Sequence, residues 1–153
     1  MPPRQLLLVD GTPRAERPGV AGVGAVVCTP RGQVLAWHTD EAPAQTSMEA
    51  EYQAVIAGLE FVRRRYRGAQ IRCLSDSRVM IEQLNGRYAV RAERLKPLHE
   101  RASALARQLG RVAFLAIPRD MNGLADALAG LQLAQARVAG LIEGDDAGDK
   151  VKG

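Results

Sequence analysis

The sequence lacks the features that define several large classes of protein. No apolar run approaches the roughly 20 residues of a membrane-spanning helix, and the first apolar segment, Leu6 to Val9, is too short for a signal-peptide core. The chain has only two cysteines, Cys28 and Cys73, and both lie in apolar segments. We therefore expect a cytoplasmic protein without membrane segments, whose cysteines are small core residues rather than a disulfide or a zinc site.

Motifs for covalent catalysis and for dinucleotide binding are also absent. No G-x-S-x-G and no Cys/His arrangement suggests a nucleophile, and His38 and His99 have no partner at metal-ligand spacing. Gly22 and Gly24 lack the third glycine of a dinucleotide loop and fall in a predicted strand. These two glycines indicate close backbone packing instead.

The charge is unevenly distributed along the 153 residues, whose net charge is +4. The segment 141–153 is acidic and rich in glycine, and without the charges from Glu143 onward the body has 19 basic and 13 acidic residues. We expect one domain over residues 1–140, followed by a disordered acidic tail over 141–153. A basic body favours a polyanionic partner. The arginines at 63–65 and 67 fit compensation of a helix dipole, with phosphate contact as the alternative.

Hydrophobic periodicity and turn signals predict an α/β fold with a mixed five-stranded sheet. The predicted strands cover 6–9, 20–28, 33–39, 71–74 and 112–117, and the predicted helices cover 47–65, 77–84, 95–109 and 122–139. Three leading strands joined by tight turns should be antiparallel. The last two strands, each reached through helices, should be parallel additions to the sheet.

The first helix opens on a stretch, Thr46 to Tyr52, that carries two acids with different roles. Thr46 and Glu49 fit the S/T-x-x-E capping box, in which each side chain satisfies the other residue's backbone N–H. Glu51 lies beyond this cap, at the edge of an apolar stripe with helical spacing. Because a half-buried carboxylate is costly without a cationic partner, Glu51 indicates that a cation lies nearby.

Four carboxylates are expected at one end of the predicted sheet. Asp10 and Asp76 follow the first and fourth strands, so they face each other if these strands are parallel neighbours. Glu51 and Asp126 enter from the first turns of two helices. The mutual repulsion of four carboxylates is relieved by divalent cations, and all-oxygen ligands favour magnesium or manganese. Two such ions about 4 Å apart are a common device for phosphodiester hydrolysis.

Each of these acids also has an ordinary structural explanation. Asp10 before Gly11 fits turn chemistry, and Asp76 fits a helix cap. Asp126 fits an acid favoured by a helix dipole, and Glu51 fits a solvated surface residue. The common position of all four favours a metal site over four separate explanations.

Seven short segments then occur in a fixed order over about residues 5 to 137. They are Asp10-Gly11, Gly22-x-Gly24-Ala25-Val26-Val27, Thr46-Ser47-Met48-Glu49-Ala50-Glu51-Tyr52-x-Ala54-Val55, Ser75-Asp76-Ser77, Gln83-Leu84-Asn85-Gly86-x-Tyr88, Ile117-Pro118-Arg119 and Asn122-x-x-Ala125-Asp126-x-Leu128-Ala129. This ordered set resembles type 1 ribonuclease H, in particular its compact, archaeal-like branch. The resemblance implies a ribonuclease H-like fold and cleavage of the RNA strand of an RNA/DNA hybrid with two Mg²⁺ or Mn²⁺ ions.

The resemblance also assigns the metal ligands and catalytic residues. They are Asp10, Glu51, Asp76 and Asp126. Glu51 is selected over Glu49 because the family's acid directly precedes the Tyr/Leu-x-Ala segment. The capping-box pattern reaches the same choice independently.

Substrate contacts are expected at positions where this sequence departs from the family. Thr46 and Ser47 lie where the family usually has an Asn-Asn pair that touches the hybrid's minor groove. Arg119 is the nearest polar residue to the position of a loop histidine that is thought to assist product release in bacterial members. Gly11 is expected to let the hybrid backbone approach Asp10. The basic protrusion of some bacterial members has only a diffuse substitute here, in Arg87, Arg91, Arg94 and Lys96.

The sequence therefore predicts a monomeric endoribonuclease that hydrolyses RNA in RNA/DNA hybrids, with specificity from 2′-hydroxyl contacts. Two alternatives stay open. Another nuclease of the same fold is the first, although exonucleases of this fold carry D-x-E where this chain has Asp10-Gly11-Thr12. A hybrid-binding module with weak or no catalysis is the second, and the altered segment before Glu51 keeps it open.

Overall fold

A mixed sheet and three helices make up the part of the chain that the computed structural model describes, residues 4–123, 125 and 150–151. The strands are β1 (Arg4–Pro13), β2 (Val20–Cys28), β3 (Val34–Pro43), β4 (Gln70–Ser75), β5 (Val112–Ala116) and β6 (Lys150–Val151). The helices are α1 (Ser47–Arg65), α2 (Arg78–Leu84) and α3 (Lys96–Leu109), with short 3₁₀ helices at Glu93–Leu95 and Arg119–Met121.

The strand order is β5-β4-β1-β2-β3-β6. β1, β2 and β3 pair antiparallel, whereas β4 pairs parallel with β1 and β5 pairs parallel with β4. The predicted set of three antiparallel strands and two parallel additions is confirmed. The two-residue β6, which was not predicted, pairs antiparallel with β3 at Ala36 and Trp37. It belongs to the segment 141–153 that was predicted to be a tail, and the rest of that segment lies outside the described residues.

β1 and β3 are longer than the sequence predicts. β2 pairs with β1 as far as Pro13 and with β3 as far as Pro43, because a partner strand holds the backbone extended past the turn-favouring residues. Asp10 therefore lies inside β1 and not in a turn. The parallel pairing of β1 with β4 nevertheless ends at Leu8 opposite Leu74, which leaves the residues beyond it at the crevice between the two strands.

The main core lies between the sheet and α1. Leu7 and Val9 of β1 are fully buried with Tyr52 and Leu59 of α1, and Cys73 of β4 is buried in the same cluster. On the other face of the sheet, a smaller cluster contains Val26, Cys28 and Ala125, with Leu6, Leu8, Val34 and Trp37 packed against it. The expectation of buried, unpaired cysteines is confirmed. Among the described helices, none is both long enough and apolar enough to cross a membrane.

Gly11 is the position at which α1 comes closest to the sheet. A Cβ atom built on Gly11 would lie 2.0 Å from the carbonyl oxygen of Ala50 and 2.5 Å from its carbonyl carbon. Both of these atoms belong to the helix backbone and cannot move aside as a side chain can. The first turn of α1 can therefore lie on β1 only because residue 11 has no side chain.

We predict that Gly11→Ala destabilises the protein by at least about 2 kcal/mol, as overpacking against backbone does. Urea unfolding measures the change in the free energy of unfolding. Gly123→Ala is the matched control, because a Cβ at Gly123 meets nothing within 4 Å. Equal stability of the two variants would contradict the close-approach explanation.

Candidate active site

Glu49 forms the cap of α1 and does not take part in the acidic cluster. Thr46 Oγ1 accepts a hydrogen bond from Glu49 N at 3.1 Å, as the capping box predicts. The reciprocal bond differs from the prediction, because Glu49 Oε1 accepts from the backbone N–H of Gln45 and not from that of Thr46. Arg94 Nε also donates to Glu49 Oε2 at 3.2 Å. Burial raises the pKa of Glu49, but these hydrogen bonds and the Arg94 charge outweigh burial, so the net pKa is lowered.

Glu51 points the other way, over Gly11 and toward the end of the parallel strands. The backbone N–H of Gly11 donates to Glu51 Oε1 at 3.1 Å. The side chain of Asp10 is also within hydrogen-bond contact of Glu51, and this contact lowers the pKa of Glu51. The sequence therefore separated the two acids of this helix correctly.

Asp10, Glu51 and Asp76 converge on one point. Each offers a carboxylate oxygen, and these three oxygens lie within 4.8 Å of one another. Asp10 and Asp76 are each two residues past the last parallel pair, Leu8 and Leu74, so the strand register brings them side by side. Asp10 is buried, and Glu51 and Asp76 are partly buried. The structure thus brings together the three side chains that the sequence predicted to meet.

The repulsion among these acids appears in the pKa of Glu51. This pKa is raised to about 7, chiefly by burial and in addition by the negative charge of Asp76. The Gly11 N–H, the bond with Asp10 and the Arg119 charge oppose this increase without cancelling it. In the absence of a cation, the site thus relieves its repulsion by holding a proton.

The donor set fits a hard divalent cation. Three carboxylates supply only oxygen ligands, which suit Mg²⁺, Ca²⁺ or Mn²⁺ and not the softer metals that prefer sulfur or imidazole. Carboxylate oxygens within 4.8 Å of one another can bind a common ion. A bound cation would also replace the proton that Glu51 otherwise keeps.

The loop after β5 contributes a cation at the edge of this cluster. Arg119 Nε lies 3.8 Å from Asp76 Oδ2, and the Arg119 side chain is 89% exposed. Asn122, three residues after Arg119, is fully buried, and its Nδ2 donates to the carbonyl of Val9 at 2.9 Å. This bond attaches the loop to β1 directly beside Asp10. The sequence predicted Asn122 only as a helix cap, and no local pattern could have indicated its bond to Val9, 113 residues away.

The predicted substrate-contact residues have different environments. Ser47 is exposed on the first turn of α1. Thr46 is exposed too, but its hydroxyl interacts with both the backbone and the carboxylate of Glu49. Gly11 is covered by Ala50, so packing alone accounts for a glycine at that position. Substrate contacts at these residues stay predictions.

Asp126, the fourth predicted ligand, lies outside the described residues, as does most of the helix predicted over 122–139. The described neighbour Ala125 is buried and packs with Val26 and Cys28. The described part of the site is therefore a three-carboxylate cluster with one adjacent arginine.

Comparison with known proteins gives a family model described as reverse transcriptase-like, which matches residues 8–132. This chain is also similar to a bifunctional protein of Mycobacterium tuberculosis, with 35% identity over 139 residues. The match covers 90% of this chain and 38% of that protein. The chain thus spans well under half the length of this curated relative.

Three solved structures are similar over nearly the whole chain. The N-terminal ribonuclease H domain of the same M. tuberculosis protein, fused to maltose-binding protein, has 34% identity and a TM-score of 0.77, with 90% of this chain and 99% of that chain covered. Ribonuclease H1 of Halobacterium salinarum has 31% identity and a TM-score of 0.78, with 86% and 98% covered. LC11 ribonuclease H1, solved in complex with an RNA/DNA hybrid, has 26% identity and a TM-score of 0.79, with 87% and 99% covered.

We predict that the metal-free protein loses stability as the pH rises from about 4.5 to about 7. The pKa of Glu51 is raised to about 7 in the folded protein, above its ordinary value of 4.5, so the folded state holds the proton more tightly than the unfolded state does. The resulting penalty is absent below pH 4.5 and complete above pH 7. It is on the order of 3 kcal/mol.

Urea unfolding in EDTA at several pH values measures this effect, with Glu51→Gln as the control that cannot ionise at this position. The control should lack this part of the stability loss. Mg²⁺ should stabilise the wild type more at high pH than at low pH, because it binds the ionised carboxylates. Identical pH dependence of the wild type and the Glu51→Gln variant would show that Glu51 is not under strain from its neighbours.

Proposed function

This chain belongs to the type 1 ribonuclease H family, and on that premise we propose that it is an endoribonuclease that hydrolyses the RNA strand of RNA/DNA hybrids. The observation that carries the proposal is the convergence of Asp10, Glu51 and Asp76, whose carboxylate oxygens lie within 4.8 Å of one another. A cluster of this kind has little use in a domain that only binds nucleic acid, because it repels phosphate. It suits a domain that recruits cations to a phosphodiester.

The three carboxylates, joined by Asp126 as the proposed fourth ligand, would hold two Mg²⁺ or Mn²⁺ ions. When bound, such ions supply an activated water and stabilise the charge on the leaving oxygen. Within the chain, the Gly11 N–H orients Glu51, and the β1–β4 register orients Asp10 and Asp76. A bound cation would lower the pKa of Glu51, because nearby positive charge favours the ionised carboxylate.

Arg119 is the proposed contact for the phosphate backbone next to the scissile bond. Its guanidinium reaches Asp76 at 3.8 Å, and the side chain is 89% exposed, so it can exchange its carboxylate partner for a phosphate. Ser47 is the proposed minor-groove contact. It is exposed, and it lies four residues before Glu51 and therefore on the same face of α1. Thr46 is proposed as a second, weaker contact because its hydroxyl already bonds Glu49.

We also propose that the protein acts in the cytoplasm as a monomer. The predicted cleft lies at the end of the β1–β4 pair and is built from one chain, with no residue required from a second copy. A hybrid-binding module without catalysis remains the competing proposal, and the first experiment below separates the two.

We predict that Asp76→Asn reduces cleavage of a labelled RNA/DNA hybrid by at least about 1,000-fold. The variant loses a charged ligand from a metal site that contributes several kcal/mol of transition-state stabilisation. Each loss of about 1.4 kcal/mol slows the reaction tenfold. Cleavage is followed on gels with Mg²⁺ and then with Mn²⁺. Asp120→Asn is the matched control, because Asp120 is exposed in the loop after β5 and does not belong to the carboxylate cluster.

Two results would count against the proposal. One is a folded Asp76→Asn variant that cleaves at the wild-type rate. The other is a wild-type protein that binds the hybrid but cuts neither strand with either metal. The second result would favour the binding module and would direct attention to Thr46 and Ser47.

We predict that Arg119→Ala raises the KM for the hybrid about fivefold and leaves Mg²⁺ binding equal or tighter. The fivefold change corresponds to the roughly 1 kcal/mol between two unit charges 4 Å apart in water. Steady-state kinetics and Mg²⁺ titration give the two readouts, and Arg119→Lys is the charge-preserving control. Weaker Mg²⁺ binding in Arg119→Ala would show that Arg119 supports the metal site and not the substrate.

A further inference from the structure

A second charged surface lies at the end of the sheet opposite the acidic cluster. We define the arginine surface by six exposed residues: Arg4, Arg63, Arg64, Arg67, Arg72 and Arg111. Arg64 follows Glu51 by 13 residues along the same helix, a rise of about 20 Å. The surface is therefore separate from the candidate active site.

Two adjoining cavities give this surface its shape. The first has a volume of about 580 Å³ and lies between the ends of α1 and α3, lined by Arg63, Arg64, Arg67, Gly68, Gln108 and Leu109. The second has a volume of about 270 Å³ and lies at the start of β4 and β5, where Arg4, Arg72 and Arg111 contribute side chains. Only Ala69 lies between Gly68 and Gln70, and only Gly110 lies between Leu109 and Arg111, so the two cavities are adjacent.

The backbone holds these walls together. The N–H of Ile71 donates to the carbonyl of Arg111 at 2.8 Å, and Arg4 pairs with Gln70 at the start of the β1–β4 ladder. Arg63 Nη1 bonds Gln108 Oε1 at 3.4 Å across the first cavity. Three strand starts and one helix end are thus held side by side at this end of the sheet.

The arginine surface is not neutralised by its neighbours. None of the ion pairs found within the described part of the chain includes any of its six arginines. Compensation of helix dipoles accounts for the arginines at the end of α1. It does not account for Arg4, Arg72 and Arg111, which lie on or beside strand starts. Six uncompensated guanidinium groups this close together favour a polyanion as the partner.

We propose that the arginine surface binds the phosphate backbone of single-stranded nucleic acid outside the active site. The inference goes beyond the proposed hydrolysis, because it concerns a different end of the molecule. Cavities of about 580 and 270 Å³ are too small to enclose a duplex but can hold part of a single strand. Guanidinium groups bind phosphate oxygens bidentately. The cavity linings contain no aromatic side chain, so the binding should be insensitive to base sequence and sensitive to salt.

Salt-dependent binding of a labelled single-stranded DNA tests the proposal, with the full chain in EDTA so that no cleavage intervenes. The variant is Arg64→Gln with Arg67→Gln. We expect about tenfold weaker binding at low salt and a decrease of about 1.4 in the slope of log K against log salt, since each lost phosphate contact on a single strand contributes about 0.7.

Arg17→Gln with Arg101→Gln is the matched control. It removes the same charge from two exposed arginines, which pair with Glu41 and Glu60. We expect this control to bind the DNA within twofold of the wild type. Arg4→Gln with Arg111→Gln tests the second cavity independently and should weaken binding in the same direction. Thermal unfolding confirms that each variant is folded.

Three outcomes would overturn the proposal. The first is an unchanged salt slope in both cavity variants, and the second is an equal loss of binding in the control. The third is that the cavity variants lose affinity for polyglutamate by the same factor as for DNA, which would assign the surface to an acidic protein. Cleavage of a short, blunt hybrid should be unchanged in Arg64→Gln with Arg67→Gln, so failure of this inference and failure of the proposed function give different results.

Discussion

The first turn of α1 lies directly on β1, and the candidate active site depends on that contact. A Cβ atom on residue 11 would lie 2.0 Å from the carbonyl oxygen of Ala50, so the helix would have to move away from the sheet. At the present separation, the Gly11 N–H reaches the Glu51 carboxylate at 3.1 Å. One missing side chain therefore fixes both the helix position and the direction of the acid. A residue that looks like a turn glycine in the sequence is a packing requirement in the fold.

The strand register completes the arrangement that the helix begins. The parallel ladder between β1 and β4 ends at Leu8 and Leu74, and the acids come two residues later on both strands. Three carboxylates then share a small volume, and burial together with the negative charge of Asp76 raises the pKa of Glu51. The same burial and repulsion that destabilise the metal-free protein favour cation binding, so stability and cation binding are coupled at this site. Asn122 extends the coupling to the loop that carries Arg119, because its side chain bonds the Val9 carbonyl next to Asp10.

Much of this was predictable from the sequence because the deciding signals are local. The period of the apolar residues located α1, and the S/T-x-x-E spacing separated Glu49 from Glu51. The lengths of β1 and β3 were not predictable in this way, since they depend on pairing with β2 as far as Pro13 and Pro43. Nor was the role of Asn122, whose partner is distant in sequence. The Glu49 bond to Gln45 in place of Thr46 shows a smaller limit, because a capping motif specifies residue types and not which of two adjacent N–H groups is bound.

The direction of α1 also relates the two charged ends of the molecule. Its N-terminus lies at the acidic cluster and its C-terminus at the arginine surface, so the helix dipole favours negative charge at the first end and positive charge at the second. The dipole acts within about one turn of each terminus, and this range sets a limit to what it explains. Arg63 and Arg64 fall within it, but Arg72 and Arg111 belong to the β4–β5 pair. Strand starts carry no comparable dipole, so positive charge there has no electrostatic cause within the backbone. This excess beyond the helix end is the feature that an external phosphate chain would neutralise.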